Sequence, residues 1–405
     1  MQKLVFVVSG GVSEYAKQQK DTPSYTRVIQ AYQYAWESIG LKYEDGSDLI
    51  DGAVASYTPM PSKPDTAATV MEYLGLSTKP LIRIDQDGAM GGICFQEAVR
   101  QVSEKMDICL AYAWEETVIP GLTDNDHAMR RNATSEHTAK VLVKNYRNGA
   151  YNRYARRKGL IDLGNGKQVA AAELTIEHAQ ESAAGLNACD FSEGAAICLL
   201  ASINGLRTLK KAGAKLRHAV IVSGMGRASS QPLPKRTSNH QKDDTFSPPC
   251  APARSSEVVQ TAACAAYAMA KVKYPFWELD FVETHDTHAS HEIRTYEHMG
   301  LCRRGDGRAF LDEGFPFLNT VNYGKALKNF PKRRVIGVNP SGGVIACGHS
   351  GAATGLCQTV FSLWQIQGAI KDHFGSHALQ VPNARRGAIH SRTQTGMVTV
   401  SILEC

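Results

Sequence analysis

Short apolar runs alternate along this chain with stretches whose apolar positions recur every three or four residues. The runs at 4–8, 51–56, 81–84, 107–113 and 219–223 read as strands, and 194–201 (GAAICLLA) is a further apolar segment. Helical spacing appears at 25–39, 67–76, 93–104, 138–158 and 205–212. The second half repeats the theme. A helix at 255–270 leads to a strand at 279–283, a polar cluster from His285 to His291 and a helix ending at Met299. Loops follow to Arg333, then strands at 334–337, 387–390 and 396–403. Such alternation predicts an α/β fold with strands buried between helices. Residues 115–135 are polar and irregular, and 226–254, rich in Ser, Pro, Lys and Asp, read as a linker or lid.

Two glycine-rich turns punctuate the pattern at matching places. Asp87-Gly88-Ala89-Met90-Gly91-Gly92 opens the helix at 93–104. The stretch 339–355, NPSGGVIACGHSGAATG, opens a helix carrying Leu356, Val360, Phe361, Leu363 and Trp364. Within it, Val344-Ile345-Ala346 reads as a short buried strand or its approach. A duplicated half would bring the two glycine-rich helix starts together at one site. Helix starts present unpaired N–H groups and a positive dipole end, so His349 there suggests chemistry on an oxygen that becomes anionic.

Composition alters this picture little. The 405 residues, 43% hydrophobic and 21% charged, describe a globular protein large enough for two ordinary cores or one fused core. A net charge of +6 suits anionic small molecules at least as well as nucleic acid. No run is long enough to span a membrane, and the start MQKLVFVVSGG reads as a first strand, not a signal. The ten cysteines are scattered without zinc-like spacing, which predicts no metal site and a reducing, cytoplasmic setting. Cys94 falls inside an apolar helix, as a buried free thiol does. The segment 144–158, KNYRNGAYNRYARRK, carries six basic residues and no acid, with tyrosines between them. It suits phosphates and a stacked base, in coenzyme A or in nucleic acid.

Several separated motifs carry a resemblance. VNPSGG, the Gly-His turn and ATG near 338–355, ETHD at 283–286, CDFSEGAA at 189–196 and VKNYRNGAYNRY at 143–154 together resemble the thiolase superfamily. The match is nearest to the branch related to sterol carrier protein thiolases. The resemblance implies a five-layered αβαβα thiolase fold built from two duplicated halves, 1–240 and 241–405. A shortened loop domain at about 115–190 would belong to the first half. It also implies acyl-coenzyme A as substrate and not a tightly bound cofactor, a homodimer, no nucleic-acid or membrane partner, and a small zinc-ribbon/OB-fold partner subunit.

The departures from the family pattern direct the functional expectation. The family's nucleophilic cysteine falls here on Asp87 or Gly88, and its second cysteine on the third residue of His285-Asp286-Thr287-His288. In other thiolases that second group comes from a C-terminal Cys-x-Gly, here His390-Ser391-Arg392. Both sulfur groups are replaced, while His285 and His349 match the residues that hold a thioester carbonyl. An oxyanion hole without a nucleophile points to enolate chemistry lacking an acyl-enzyme, with retro-aldol cleavage of a β-hydroxyacyl thioester as the leading case. An acyltransferase with an unusual nucleophile and a non-catalytic acyl-CoA-binding or scaffold subunit are the alternatives. His288 or a desolvated Asp87 would be the base, Asp286 an orienting group, and His390 an outlying candidate. Lys144, Arg147, Arg153, Cys189 and Ser192 are the expected coenzyme A contacts.

Overall fold

The computed structural model describes residues 3–16, 23–58, 66–85, 89–116, 135–164, 166–182, 186–229, 255–318, 334–393 and 396–405. In chain order the strands are β1 (Phe6–Val12), β2 (Gly52–Tyr57), β3 (Leu81–Ile84), β4 (Ile108–Glu115), β5 (Leu160–Gly164) and β6 (Lys167–Ala170). They continue with β7 (Gly194–Ala201), β8 (Val220–Ser229), β9 (Phe281–Glu283), β10 (Gly337–Val338), β11 (Arg386–Arg392) and β12 (Met397–Glu404). Strands β5 and β6 form a separate hairpin, and the rest join one sheet in the order β10-β9-β11-β12-β8-β1-β7-β4-β2-β3.

That order contains the same five-strand plan twice. Reading outward from the junction of β1 and β8, each half places its first strand, then its fifth, fourth, second and third. The second strand runs parallel to both neighbours in each half, and the fifth is antiparallel to the fourth and first. The junction is short: Phe6 pairs with Ile221 and Val7 with Val220.

Each half sends a helix from its third strand to its fourth. These two inner helices, Met90–Glu104 and Thr354–Ile366, pack between the half-sheets. Phe95 and Val99 of one and Leu356, Val360 and Trp364 of the other share a core with Val54, Ala111, Ile389 and Leu403. Helices Ser24–Glu37 and Ala67–Tyr73 cover the far face of the first half-sheet, through Val28, Trp36 and Val70 against Leu110 and Ile197. Helices Ser255–Ala270 and Ala289–His298 cover the second, through Ala262, Ala266 and Ile293 against Val282 and Val400. The result is the five-layered αβαβα arrangement.

Local differences from the sequence reading have local causes. The helix expected at 138–158 is Ser135–Ala150. Beyond it, Asn152 donates to the Ser341 carbonyl and accepts the Tyr154 N–H, so its side chain competes with helical bonding. The apolar triplet 344–346 is not a strand but part of the helical turn Gly343–Cys347. The first inner helix starts at Met90, before 93, and residues 226–229, read as linker, complete β8. The expected strand at 334–337 is reduced to Gly337–Val338, and the short helix Gly307–Asp312 stands where loops were expected. Residues 117–134 and 230–254 lie outside the described residues.

Candidate active site

The parallel strands β10, β9 and β11 end side by side, and their carboxyl ends carry Asn339, the turn Thr284-His285-Asp286, and His390. Open α/β sheets commonly bind ligands at such strand ends. From Asn339 the chain makes a close loop beneath the turn. Gly343 has φ +65°, and a Cβ there would meet the Asp286 carboxylate at 2.4 Å. Gly348 has φ +97°, and a Cβ there would meet Ser192 Oγ at 2.2 Å. Only glycine combines that backbone with that proximity. The loop therefore lies flat against its neighbours and delivers His349 to the site.

His349 is held on several sides. Its N–H donates to the Asp190 carbonyl at 2.7 Å, and its carbonyl accepts the Ser192 N–H at 2.9 Å. Its ring stacks on Phe191, with centroids 5.2 Å apart, while Nδ1 lies 3.1 Å from Thr354 Oγ1. His285 meets that ring nearly at right angles, with centroids 4.8 Å apart. The backbone N–H of His285 donates to His390 Nδ1 at 3.3 Å. His285 and His390 are buried, and His285 Nδ1 and His390 Nε2 have no hydrogen-bond partner among the described residues. Burial, reinforced by His349, His390 and Arg392, pushes the His285 pKa well below its ordinary value. Burial and Arg392 bring His390 to about 3. These two rings are neutral at physiological pH, beside the fixed charge of Arg392, an arrangement suited to an oxygen gaining negative charge.

Behind the pocket lies a second polar cluster. Lys144 and Glu292 are fully buried and form an ion pair at 2.9 Å. Asn145 Nδ2 donates to Asp286 and Glu292, each at 2.7 Å, and Asn339 Nδ2 donates to Glu292 at 2.7 Å. Asp286 also accepts the Val344 N–H at 2.6 Å, so it ties the loop to the strand end, as an orienting group would. Ser341 donates to Glu283 from both its N–H and its hydroxyl, while burial raises the Glu283 pKa to about 7.

The expected site residues separate clearly in space. His285, His349 and the outlying His390 come together. His288 instead caps helix Ala289–His298, where its Nδ1 accepts the Ser290 N–H at 3.2 Å. His288 thus offers Nδ1 to its own helix and not to a substrate, unlike the base expected of it. Asp87 and Gly88 lie outside the described residues. Lys144 is corrected as a coenzyme A contact, because its ammonium is enclosed with Glu292. Arg147 donates to the Leu174 carbonyl, whereas exposed Arg153 lies over the rings of Tyr34 and Tyr154. Cys189 and Ser192 belong to the segment bridging the site. The Cys189 N–H binds the Thr287 carbonyl, and desolvation pushes its thiol up to about 12. Cys94 is buried, donates to the Val54 carbonyl at 3.3 Å and is likewise pushed up to about 12.

The sequence reading missed a pair spanning the start of the next helix: Thr287 Oγ1 lies 3.0 Å from His291 Nδ1. Spacing of four residues across a helix start was the available signal. The helix starts do meet: a Cβ on Gly355 would approach the Gly92 nitrogen to 2.5 Å, and one on Gly91 the Ala352 oxygen to 2.7 Å. Among the described residues no His/Cys/Asp/Glu group suits a metal, and no helix is long and apolar enough to cross a membrane.

Residues 250–404 match the family model for a thiolase C-terminal domain-like region. Sterol carrier protein 2 of Gallus gallus is 25% identical over 443 aligned positions, covering 99% of this chain and 72% of that protein. The chain belongs to the thiolase superfamily. Its relatives place it in the branch that includes the sterol carrier protein thiolases. The benzoylsuccinyl-CoA thiolase subunit BbsB of Thauera aromatica is 25% identical, with 75% of each chain covered. Two solved structures share the thiolase fold across nearly the whole chain. The Ltp2-ChsH2(DUF35) aldolase has a TM-score of 0.68 at 16% identity, covering 99% of this chain and 98% of that one. Human mitochondrial 3-ketoacyl-CoA thiolase has a TM-score of 0.62 at 13% identity, covering 99% of both.

Proposed function

We propose that this thiolase-fold chain is an enzyme that breaks or makes the C–C bond beside an acyl-coenzyme A thioester through an enolate, without an acyl-enzyme. The observation that carries this reading is the buried pair His285 and His349, set at right angles where no described thiol is poised as a nucleophile. In the cleavage direction a base removes the β-hydroxyl proton of a β-hydroxyacyl thioester. The Cα–Cβ bond then breaks, the β-oxygen becomes a carbonyl, and the electron pair passes to the thioester oxygen as an enolate. His285 and His349 hold that oxygen, and protonation at Cα completes the turnover. Fixed donors of this kind contribute about 3–4 kcal/mol each to a transition state. With His288 committed to its helix cap, the Thr287–His291 pair takes the place of the base, the hydroxyl relaying the proton to the imidazole.

The likeness to a structure described as an aldolase supports this direction. Exposed Arg153 is the expected cation for a coenzyme A phosphate. The names of two similar proteins describe an assembly or a subunit, which favours work beside a second, smaller protein over isolated action. The reaction needs no bound cofactor beyond the coenzyme A thioester itself.

The deciding assay offers β-hydroxyacyl and β-ketoacyl thioesters with and without free coenzyme A. A retro-aldol uses no free coenzyme A, whereas thiolysis consumes it stoichiometrically. Cleavage of β-hydroxyacyl thioesters in its absence is the expected result. Strict dependence on coenzyme A, or an acyl group found on Cys94 or Cys189 by mass spectrometry, would return the chain to acyl transfer.

A further inference from the structure

His390 is the one member of the imidazole cluster whose proton can be placed from geometry. Its Nδ1 accepts the backbone N–H of His285 at 3.3 Å and so is bare. Groups that oppose a second proton crowd the ring: Arg392 on its own strand, His298 and His291 on the neighbouring helix, and the His285 ring at the end of β9. A neutral ring with a bare Nδ1 carries its hydrogen on Nε2. That Nε2–H is buried and meets no acceptor among the described residues. A buried donor left unpaired costs free energy that folding alone does not explain, and within a cluster of candidate catalytic groups it marks where a ligand acceptor goes.

Resting on the acyl-coenzyme A reading above, we propose that His390 Nε2–H is a substrate contact that receives the oxygen on the β-carbon and makes the site selective for β-oxygenated acyl groups. The His390 ring lies against the backbone of His285 and acts on the His285 ring through its charge, a proximity that suits the oxygens on alternate carbons of a β-hydroxyacyl thioester. His285 and His349 serve the thioester oxygen, and His390 serves the other. The β-oxygen accepts a hydrogen bond both as a hydroxyl and as the carbonyl formed on cleavage. A donor that never changes its proton fits both states, whereas a group that must take up a proton would fit only one.

The test is calorimetric binding of matched β-hydroxyacyl and saturated acyl-coenzyme A pairs, from butyryl to palmitoyl. The natural protein should prefer the β-hydroxy member by about tenfold or more, since a site built for a hydroxyl rejects the analogue lacking it. His390→Asn keeps an acceptor near the His285 N–H but withdraws the outer donor, and should bring the two within about twofold. His390→Gln, whose amide reaches the Nε2 position, should restore most of the preference. Equal affinities in the natural protein, or an undiminished preference in His390→Asn, overturn the proposal. If neither thioester binds at all, it falls together with the acyl-coenzyme A reading. A preference without cleavage upholds the contact and sinks only the retro-aldol chemistry. Should His390→Asn fail to fold, nitrogen resonances of labelled histidine in the natural protein decide. The His390 Nε2 signal should move with the β-hydroxy thioester alone, and an equal shift with both members overturns the contact.

Discussion

Adjacent residues His285 and Asp286 open onto two very different polar interiors. Asp286 faces a cluster in which Lys144, Glu292, Asn145, Asn339 and the Val344 N–H answer one another, charge against charge and donor against acceptor. His285 faces His349 and His390, and two nitrogens there have no partner among the described residues. Both regions are buried, so solvent does not explain the difference. A completed network fixes the backbone of the strand ends, whereas an incomplete one keeps hydrogen-bonding capacity that a ligand can use. Polarity in the interior is thus a poor guide to a site until each atom's partner has been found.

The contrast breaks most sharply at Lys144. Lys144→Met leaves Glu292 and its amide partners around an uncompensated buried charge, and should lower unfolding free energy by about 3–5 kcal/mol in urea titration. A variant of unchanged stability but weakened coenzyme A affinity would restore the phosphate role that burial argues against. On the other side, His349→Phe preserves the flat ring against Phe191 but removes the donor. Turnover should fall about a hundredfold while the urea midpoint stays near that of the natural protein, because the contact strengthens only in the transition state. Full activity in that variant would remove His349 from the oxyanion hole.

The smallest effect, taken per pH unit, is read from pH. His390 titrates at about 3 in the folded chain against an ordinary 6.5, so between those values the unfolded chain holds a proton that the folded one lacks. Stability is complete above 6.5 and declines as pH falls toward 3, by up to about 1.4 kcal/mol per pH unit. Glu283 has the opposite sign. Raised to about 7 from 4.5, it keeps a proton that the unfolded chain has released, so its contribution is full below 4.5 and is lost as pH rises toward 7. Urea midpoints across this range should lose their acid decline in His390→Gln and steepen in Glu283→Gln. Parallel profiles for both variants would mean that these groups do not titrate as their surroundings require.

Much of the fold was legible because strand and helix periods are local, and the two glycine-rich turns fell at matching places in the two halves. His349 was legible for the same reason, standing within one of those turns. His390 was legible only as an outlying candidate, through its match to the family's Cys-x-Gly, because nothing near it in sequence reveals that β11 lies beside β9. Lys144 misled through its neighbours: a basic run suggests phosphate, and Glu292, which neutralises this one lysine, lies far along the chain. The triplet 344–346 reads as a strand by composition, but the positive φ angles of Gly342 and Gly343 turn it into a helix. Binding partners at long separation and backbone strain leave little local trace.

The position of β12 bears on how the protein is made. Although β12 comes after every other strand in the chain, it lies inside the sheet between β11 and β8, as β7 lies between β4 and β1. A ribosome therefore releases the flanking strands of each half before the one that joins them. Until β12 emerges, β11, which carries His390, has no partner on that side, and β8 offers an open edge. Long-range closure of this kind is slow, and the waiting edges are exposed to mispairing with other nascent chains. Within this fold the histidine cluster is thus closed late, and the vulnerable interval lies just before β12 is threaded into place.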